Sequence, residues 1–288
     1  MKKTRCLANL SLLAIFIVVF SGCNNIDGAN EPYYDLTLTR PYHTSHLDYD
    51  EYYYESNFKI QENIASSSAV QSYNYEALAP SAPQSYYVLP TPQNDGNMSV
   101  EEALASRRSR RNFQDKALSM EQLSQILWAA YGITLPMPDR SGGGFRTTPS
   151  AGATFPLEVY VAVGNVYGLS PGIFQYNSEN HTLIRLSNND IRQELSNAAL
   201  GQRMVANAPA TIFYTAVMPR ITERYGERGI RYAYMELGHS AQNVYLQAEA
   251  LGLGTVAIGA FDDNMVRAIF SLASGEYPLY LMPIGYFY

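Results

Sequence analysis

The chain of 288 residues has two cysteines, four histidines and one tryptophan, and each scarcity removes a class of protein. Cys6 and Cys23 both lie near the start. No disulfide framework can staple the remaining chain, so a hydrophobic core has to hold it. A cysteine cluster for zinc is excluded. His43 and His46 are spaced i, i+3 but sit in a polar, tyrosine-rich tract, where solvation is the expected state; no metal site is expected. The apolar run from Leu10 to Phe20, broken only by Ser11, is shorter than the ~20 residues of a spanning helix. A basic excess is also missing. The formal net charge is -6, and nucleic-acid binding needs a spread basic face, so no nucleic-acid partner is expected.

What is present begins with a targeting segment. Lys2, Lys3 and Arg5 precede the apolar run, and Ser21, Gly22 and Cys23 come after it. This is the pattern of a secretory signal, and the small residues before Cys23 resemble a bacterial lipobox. Residues 1–22 are therefore expected to be a removed signal peptide, with Cys23 lipidated and the protein exported and anchored to a bacterial membrane. An uncleaved anchor is the alternative. Residues 23–86 differ from the rest: eleven of the 24 tyrosines fall between Tyr33 and Tyr87, without helical or strand period. The expected state is a disordered tether, the alternative a segment that packs on the domain or a partner through its tyrosines.

From residue 87 to 288 the sequence reads as one domain. Ser99 with Glu102, and Ser119 with Gln122, form capping-box patterns, so helices are predicted near Val100 and after Ser119. In the second, Leu123, Ile126, Leu127 and Ala130 mark one face. Strands are predicted at 157–163, 172–176, 181–186 and 209–217, the middle two as a hairpin around Asn177–Asn180. Ile230, Ala233, Leu237, Ala241, Val244, Ala248 and Leu251 recur at intervals of three and four, as in a long buried helix. A short helix and a final strand at 278–285 complete the domain. Residues 140–156 are predicted as a loop. The mixture is that of an α+β or α/β domain.

Several motifs fail their structural context. Gly168–Gly172 matches G-x-S-x-G, but Pro171 and a strand-like segment follow Ser170, whereas a nucleophile elbow needs a helix there. A serine hydrolase using Ser170 remains only a remote alternative. Gly252–Ala257 matches G-x-G-x-x-A, yet it ends a helix and opens a strand, the reverse of a dinucleotide site.

The stretch ASRRSRRNF, residues 105–113, concentrates Arg107, Arg108, Arg110 and Arg111 in an acidic chain. It could be a solvated charge run, a nucleic-acid patch or the grip on a small anion. Together with PSAGATFPLE (149–158), GLSPGIFQYN (168–177), QNVYLQAEALGLG (242–254), AIGAFD (257–262) and PLYLMPIG (278–285), it resembles the flavin-binding nitroreductase superfamily. The SagB/ThcOx-type dehydrogenase branch resembles it best. The resemblance spans residues 87–288 and rests on the ordered set of motifs.

That resemblance implies an α+β fold, a mixed sheet covered by helices, in an intertwined homodimer with FMN at the interface. It implies cofactor binding by Arg107, Arg108, Ser109 and Arg111, with Arg110 turned to solvent. It places Ser150, Ala151, Gly152 and Ala153 along the flavin, and Gly259 and Ala260 at the turn that meets N5. Arginine suits a dianionic phosphate. The implied activity is a ping-pong oxidoreductase taking electrons from a donor such as NAD(P)H to a small organic substrate. Tyr232 and His239 are weak candidates for proton donors. The alternative is an envelope-anchored flavin-binding module with reduced turnover. The sequence departs from the family pattern at Tyr286, where an arginine commonly stands after the final strand.

Overall fold

The computed structural model describes residues 85–139 and 142–288, all within one compact unit, Leu78–Tyr288. The signal segment, Cys23 and nearly all of the expected tether lie outside the described residues. Strand β1 (Tyr86–Val88) opens at what was expected to be the last tether residue. Helices α1 (Val100–Ser106) and α2 (Met120–Tyr131) begin at the two capping boxes, with Ser99 and Ser119 each accepting the N–H of the residue three positions later. Reciprocal bonds of this kind satisfy two orphan donors at the helix start.

A hairpin, β2 (Ile133–Pro136) with β3 (Gly144–Arg146), interrupts the stretch expected to be loop. Strands β4 (Leu157–Val163), β5 (Gly172–Asn177) and β6 (Thr182–Ser187) come next as a meander. Then come α3 (Arg192–Ala198), α4 (Arg203–Asn207), β7 (Ala210–Val217), α5 (Pro219–Tyr225), α6 (Arg228–Ala250), β8 (Gly254–Thr255), α7 (Asp263–Phe270) and β9 (Glu276–Gly285). The main sheet has the order β1-β6-β5-β4-β7-β9-β8. Every pairing between these strands is antiparallel. The mixed sheet expected from sequence is corrected accordingly: parallel pairing among the described residues is confined to isolated bridges, Ser109 with Thr255 and Leu118 with Val166.

Alternation along β4 assigns the layers. Leu157, Val159, Val161 and Val163 point into the core formed with α2 and α6. Tyr160 and Ala162 point into a second core with Leu195 of α3 and Val266 of α7. Successive strand side chains face opposite sides, so the sheet is buried on both faces, and its central strands read as continuous apolar runs. Helix α6, 23 residues long, is the spine on which the candidate site residues are arranged. Ala233, Leu237, Ala241, Val244 and Ala248 are buried beneath it, while Met235, Gly238 and His239 are exposed on its outer side. A Cβ at Gly238 would meet no atom of the chain within 4 Å.

Candidate functional site

Helix α1 stops where the arginines begin. Arg107 leaves helical geometry (φ -47, ψ 126) while its N–H closes on Ala103 O. The chain then runs extended beside β8: Arg110 N–H donates to Thr255 O at 2.9 Å, and Phe113 bridges Phe287. In an extended segment the side chains alternate, and Arg110 is the one turned inward. Its guanidinium stacks 4.3 Å over the Phe287 ring and lies 3.8 Å from Glu249. The expectation that Arg110 faces solvent is therefore overturned; the residue fastens the segment to α6 and to the chain after β9.

The neighbours of Arg110 are turned the other way. Arg107 lies 5.1 Å over the ring of Tyr245, and Ser109 Oγ is 3.1 Å from the Tyr245 hydroxyl, which also accepts the Ala257 N–H at 2.8 Å. Tyr245 was missed by sequence reasoning. It is a partly buried residue inside the α6 pattern, and nothing local distinguishes it from packing. Arg108 donates only to carbonyls of its own turn, Ala105 and Arg107. Arg111 is exposed. Among the described residues, no carboxylate pairs with Arg107, Arg108 or Arg111. Three uncompensated guanidiniums and a hydroxyl on one short segment fit a dianionic phosphate.

Close by, Ile258 exchanges backbone bonds with Leu281, which projects Gly259 and Ala260 outward as an exposed turn. A Cβ at Gly259 would touch only the Tyr280 ring, at 3.4 Å. The chain's own packing leaves that backbone open to a flat ligand. Tyr286 is turned away from this turn: its hydroxyl accepts from Gln122 at 2.9 Å, and Lys116 lies 3.6 Å over its ring.

The remaining predicted residues form a separate cluster. Ser150 Oγ accepts the Phe155 N–H at 2.9 Å and closes a turn in which Gly152, Ala153 and Phe155 have φ of 60, 54 and 46. At Gly152 a Cβ would fall 2.4 Å from the Tyr225 hydroxyl, and Arg224 donates to its carbonyl at 2.9 Å. Below the turn, Tyr131 donates its hydroxyl hydrogen to Oε1 of the buried Glu236. Burial pushes the Glu236 carboxyl up to about 7, against the opposing pull of Ser150, Tyr131 and Arg146. Burial and the Glu236 charge raise the Tyr131 phenol well above its ordinary value. Arg146 stacks on both Tyr131 and Phe155, at 4.4 and 4.5 Å. Gly152–Phe155, Tyr131 and Arg146 also wall a cleft of ≈ 860 Å³.

The structure does not bring the two clusters together within one chain. One meets α6 at Glu236 and the other at Tyr245. Nine helical residues correspond to about 14 Å along the axis and about half a turn around it. Tyr232 packs edge-on against Tyr225 (5.2 Å between centroids) and His239 is exposed; neither touches the arginine segment. Ser170 is exposed and leads directly into β5, so the hydrolase context is absent. Among the described residues no cluster of histidine, cysteine and carboxylates could hold a metal.

Comparison with known proteins agrees with this geometry. The model of the Nitroreductase family matches residues 104–286. The Methanocaldococcus jannaschii protein MJ1384, named as a nitroreductase, is 47% identical over 186 residues, 65% of this chain and 90% of that protein. TfxB of Rhizobium leguminosarum, named as a trifolitoxin-processing protein, is 31% identical over 133 residues. That match covers 44% of this chain and 35% of TfxB. A crystal structure of a nitroreductase-class protein from Ralstonia eutropha superposes with a TM-score of 0.60 at 30% identity, covering 70% of this chain and 90% of that one. The chain belongs to the nitroreductase family, and the protein is an oxidoreductase of that family. Members of the family typically bind flavin and are usually dimeric.

Proposed function

We propose that the protein is an FMN-dependent oxidoreductase of the SagB/ThcOx-type branch, acting by a ping-pong mechanism between a reductant such as NAD(P)H and a small organic substrate. One observation carries the FMN assignment: among the described residues, Arg107, Arg108 and Arg111 have no carboxylate partner, in a chain that is acidic as a whole. FMN supplies the redox chemistry when bound. The chain's own residues bind and orient. The three guanidiniums and the Ser109 hydroxyl would take the phosphate and adjoining polar atoms. Tyr245 fixes Ser109 against Ala257, so the phosphate grip and the Gly259–Ala260 turn keep one spacing. A cation near the flavin favours the charge that develops on reduction.

The split of the predicted residues across opposite sides of α6 supports a homodimer in which the 150–153 turn of one copy completes the arginine half-site of the other. The open surface at Gly238 suits such close approach. The likeness to TfxB supports the branch assignment. We further propose that the domain is held at a bacterial membrane by lipid on Cys23.

The test is the visible absorption of the purified protein. A flavin spectrum that bleaches anaerobically with NAD(P)H is the expected result. A colourless protein that takes up no FMN refutes the reading. A flavin that no nicotinamide or organic donor reduces points to the binding module without turnover.

A further inference from the structure

The segment that carries the arginines is fastened to β8 first by backbone and then by one side chain. Ser109 bridges Thr255 in parallel, and Arg110 N–H donates to Thr255 O at 2.9 Å. In a continued parallel ladder the next N–H of the strand, two residues on, would return to the arginine segment. That N–H belongs to Ala257, and it goes elsewhere: it donates to the Tyr245 hydroxyl at 2.8 Å. Ala257 cannot give it to β9. Ile258 exchanges both of its backbone bonds with Leu281, and in antiparallel pairing the neighbour of such a residue turns its N–H away. Tyr245, reaching across from α6, therefore takes the place of a rung at the edge of the sheet.

The hydrogens of this contact have one consistent arrangement. Among the described residues, the Tyr245 hydroxyl has two partners, the Ala257 N–H and Ser109 Oγ at 3.1 Å. A backbone N–H only donates, so the phenol oxygen accepts there and its own hydrogen goes to Ser109. Ser109 Oγ accepts it and keeps a hydrogen for which the described chain offers no acceptor. Ser109 is exposed, so that hydrogen is available to a bound anion. The same segment carries Arg107, whose guanidinium lies 5.1 Å over the Tyr245 ring, and Arg108 and Arg111, which have no carboxylate partner among the described residues. A directed chain of donors thus runs from the Ala257 amide, through Tyr245 and Ser109, to a cluster of cations.

We propose that Tyr245 is a positioning residue that transmits occupancy of the anion site at Ser109 to the 257–260 turn. An anion that takes the Ser109 hydrogen makes Ser109 Oγ a better acceptor for Tyr245, and the phenol oxygen in turn a better acceptor for the Ala257 N–H. Bonds in such a chain polarise one another, and a bond to a charged acceptor is roughly twice as strong as a neutral one. The three bonds tighten together. With them tightens the strand edge from which the exposed Gly259 and Ala260 project. A ligand with a phosphate therefore organises the turn, and the same ligand without it leaves the turn loose. Selection of FMN over riboflavin follows; that last step alone rests on the proposed function, since the relay itself needs only an anion.

The experiment is hydrogen–deuterium exchange of the Ala257 amide in the full chain free of FMN, with and without inorganic phosphate at equal ionic strength. Saturating phosphate should slow the exchange about threefold in the wild type. Tyr245→Phe keeps the ring under Arg107 but has no hydroxyl, so phosphate should still bind and Ala257 should not respond. Ser109→Ala breaks the chain at its outer end with the bond between Ala257 and Tyr245 in place. It should lose the response as well, which covers the case in which the phenylalanine variant does not fold. In flavin binding, Ser109→Ala should lower the ratio of FMN to riboflavin affinity about tenfold and Tyr245→Phe at least about threefold. The double variant should fall no further than Ser109→Ala alone, whereas a tyrosine that only packs would weaken both flavins alike. An Ala257 amide indifferent to phosphate in the wild type, a full response in either variant, or an unchanged affinity ratio in Tyr245→Phe overturns the proposal. An amide that responds to phosphate in a protein unable to bind FMN upholds the relay and refutes the cofactor assignment instead.

Discussion

Arg110→Ala should destabilise the fold, whereas Arg111→Ala, one residue away, should not. The difference stems from where each guanidinium lies. Arg110 loses its stack over Phe287, about 0.5–1 kcal/mol for a partly exposed pair, and an ion pair at 3.8 Å to Glu249, less than about 1 kcal/mol. It also leaves Glu249, whose side chain is 12% exposed, without its cation, and strips the methylenes that pack against Gly254; these add about 1 kcal/mol. The total is about 2 kcal/mol. Arg111→Ala, at an exposed position, should stay within about 0.5 kcal/mol. Arg110→Lys keeps the charge but not the planar face, and should recover less than half of the loss. The assay is urea unfolding of FMN-free protein, so that cofactor binding adds nothing to the folded state. A double-mutant cycle with Phe287→Leu should give a coupling of about 0.5–1 kcal/mol. If Arg110→Ala unfolds at the wild-type midpoint, or if Arg111→Ala loses as much, the inward placement of Arg110 is wrong.

Arg107→Ala, Arg108→Ala and Arg111→Ala should each weaken FMN binding by at least about 30-fold, measured by fluorescence quenching on apo-protein; equal, small effects would mean that the cluster is a solvated charge run. Burial raises Glu236 from 4.5 to about 7, so folding takes up a proton. The stability it contributes is complete below pH 4.5 and is lost as pH rises through 7. Relative to the wild type, Glu236→Gln should therefore gain about 3 kcal/mol between about pH 4.5 and about pH 8, and parallel stability profiles would contradict this. Gly152→Ala adds a Cβ 2.4 Å from the Tyr225 hydroxyl at φ 60, and should cost about 1–3 kcal/mol in chemical denaturation, where no loss would show that the turn gives way freely. Cys23→Ala should leave the protein soluble or unprocessed in fractionation, because acyl chains supply stable membrane affinity; unchanged membrane association without fatty-acid uptake by the wild type would exclude lipidation.

Much of the fold was legible because local signals agreed with each other. The boxes at Ser99–Glu102 and Ser119–Gln122 fixed two helix starts, and the three-and-four spacing from Ile230 to Leu251 marked the long helix. The hairpin of β2 and β3 was hidden by Gly142–Gly144, whose loop-like composition gives no alternation to read. Antiparallel pairing of β9 between β7 and β8 is a long-range property that a period cannot carry. At the site, residue type pointed to the arginines, but the direction of each side chain depended on Phe287 and Glu249. Arg110 was misplaced for that reason, and Tyr245 and Glu236 passed for ordinary helix residues.

The arginine segment is held by residues far along the chain: Tyr245 lies 136 positions after Ser109, and Phe287 lies 173 after Gln114. Strand β9, which delivers Phe287, enters between two strands made earlier. Contacts of such separation form late and slowly. Until β9 docks, Arg110 has neither its ring nor its register, and the three outer guanidiniums have no fixed spacing. A cofactor gripped there is consequently a latecomer, captured only once nearly the whole domain has folded. It has to be available in the compartment where folding is completed. On the proposed lipid-anchored location, flavin supply outside the cytoplasm would be a condition of maturation.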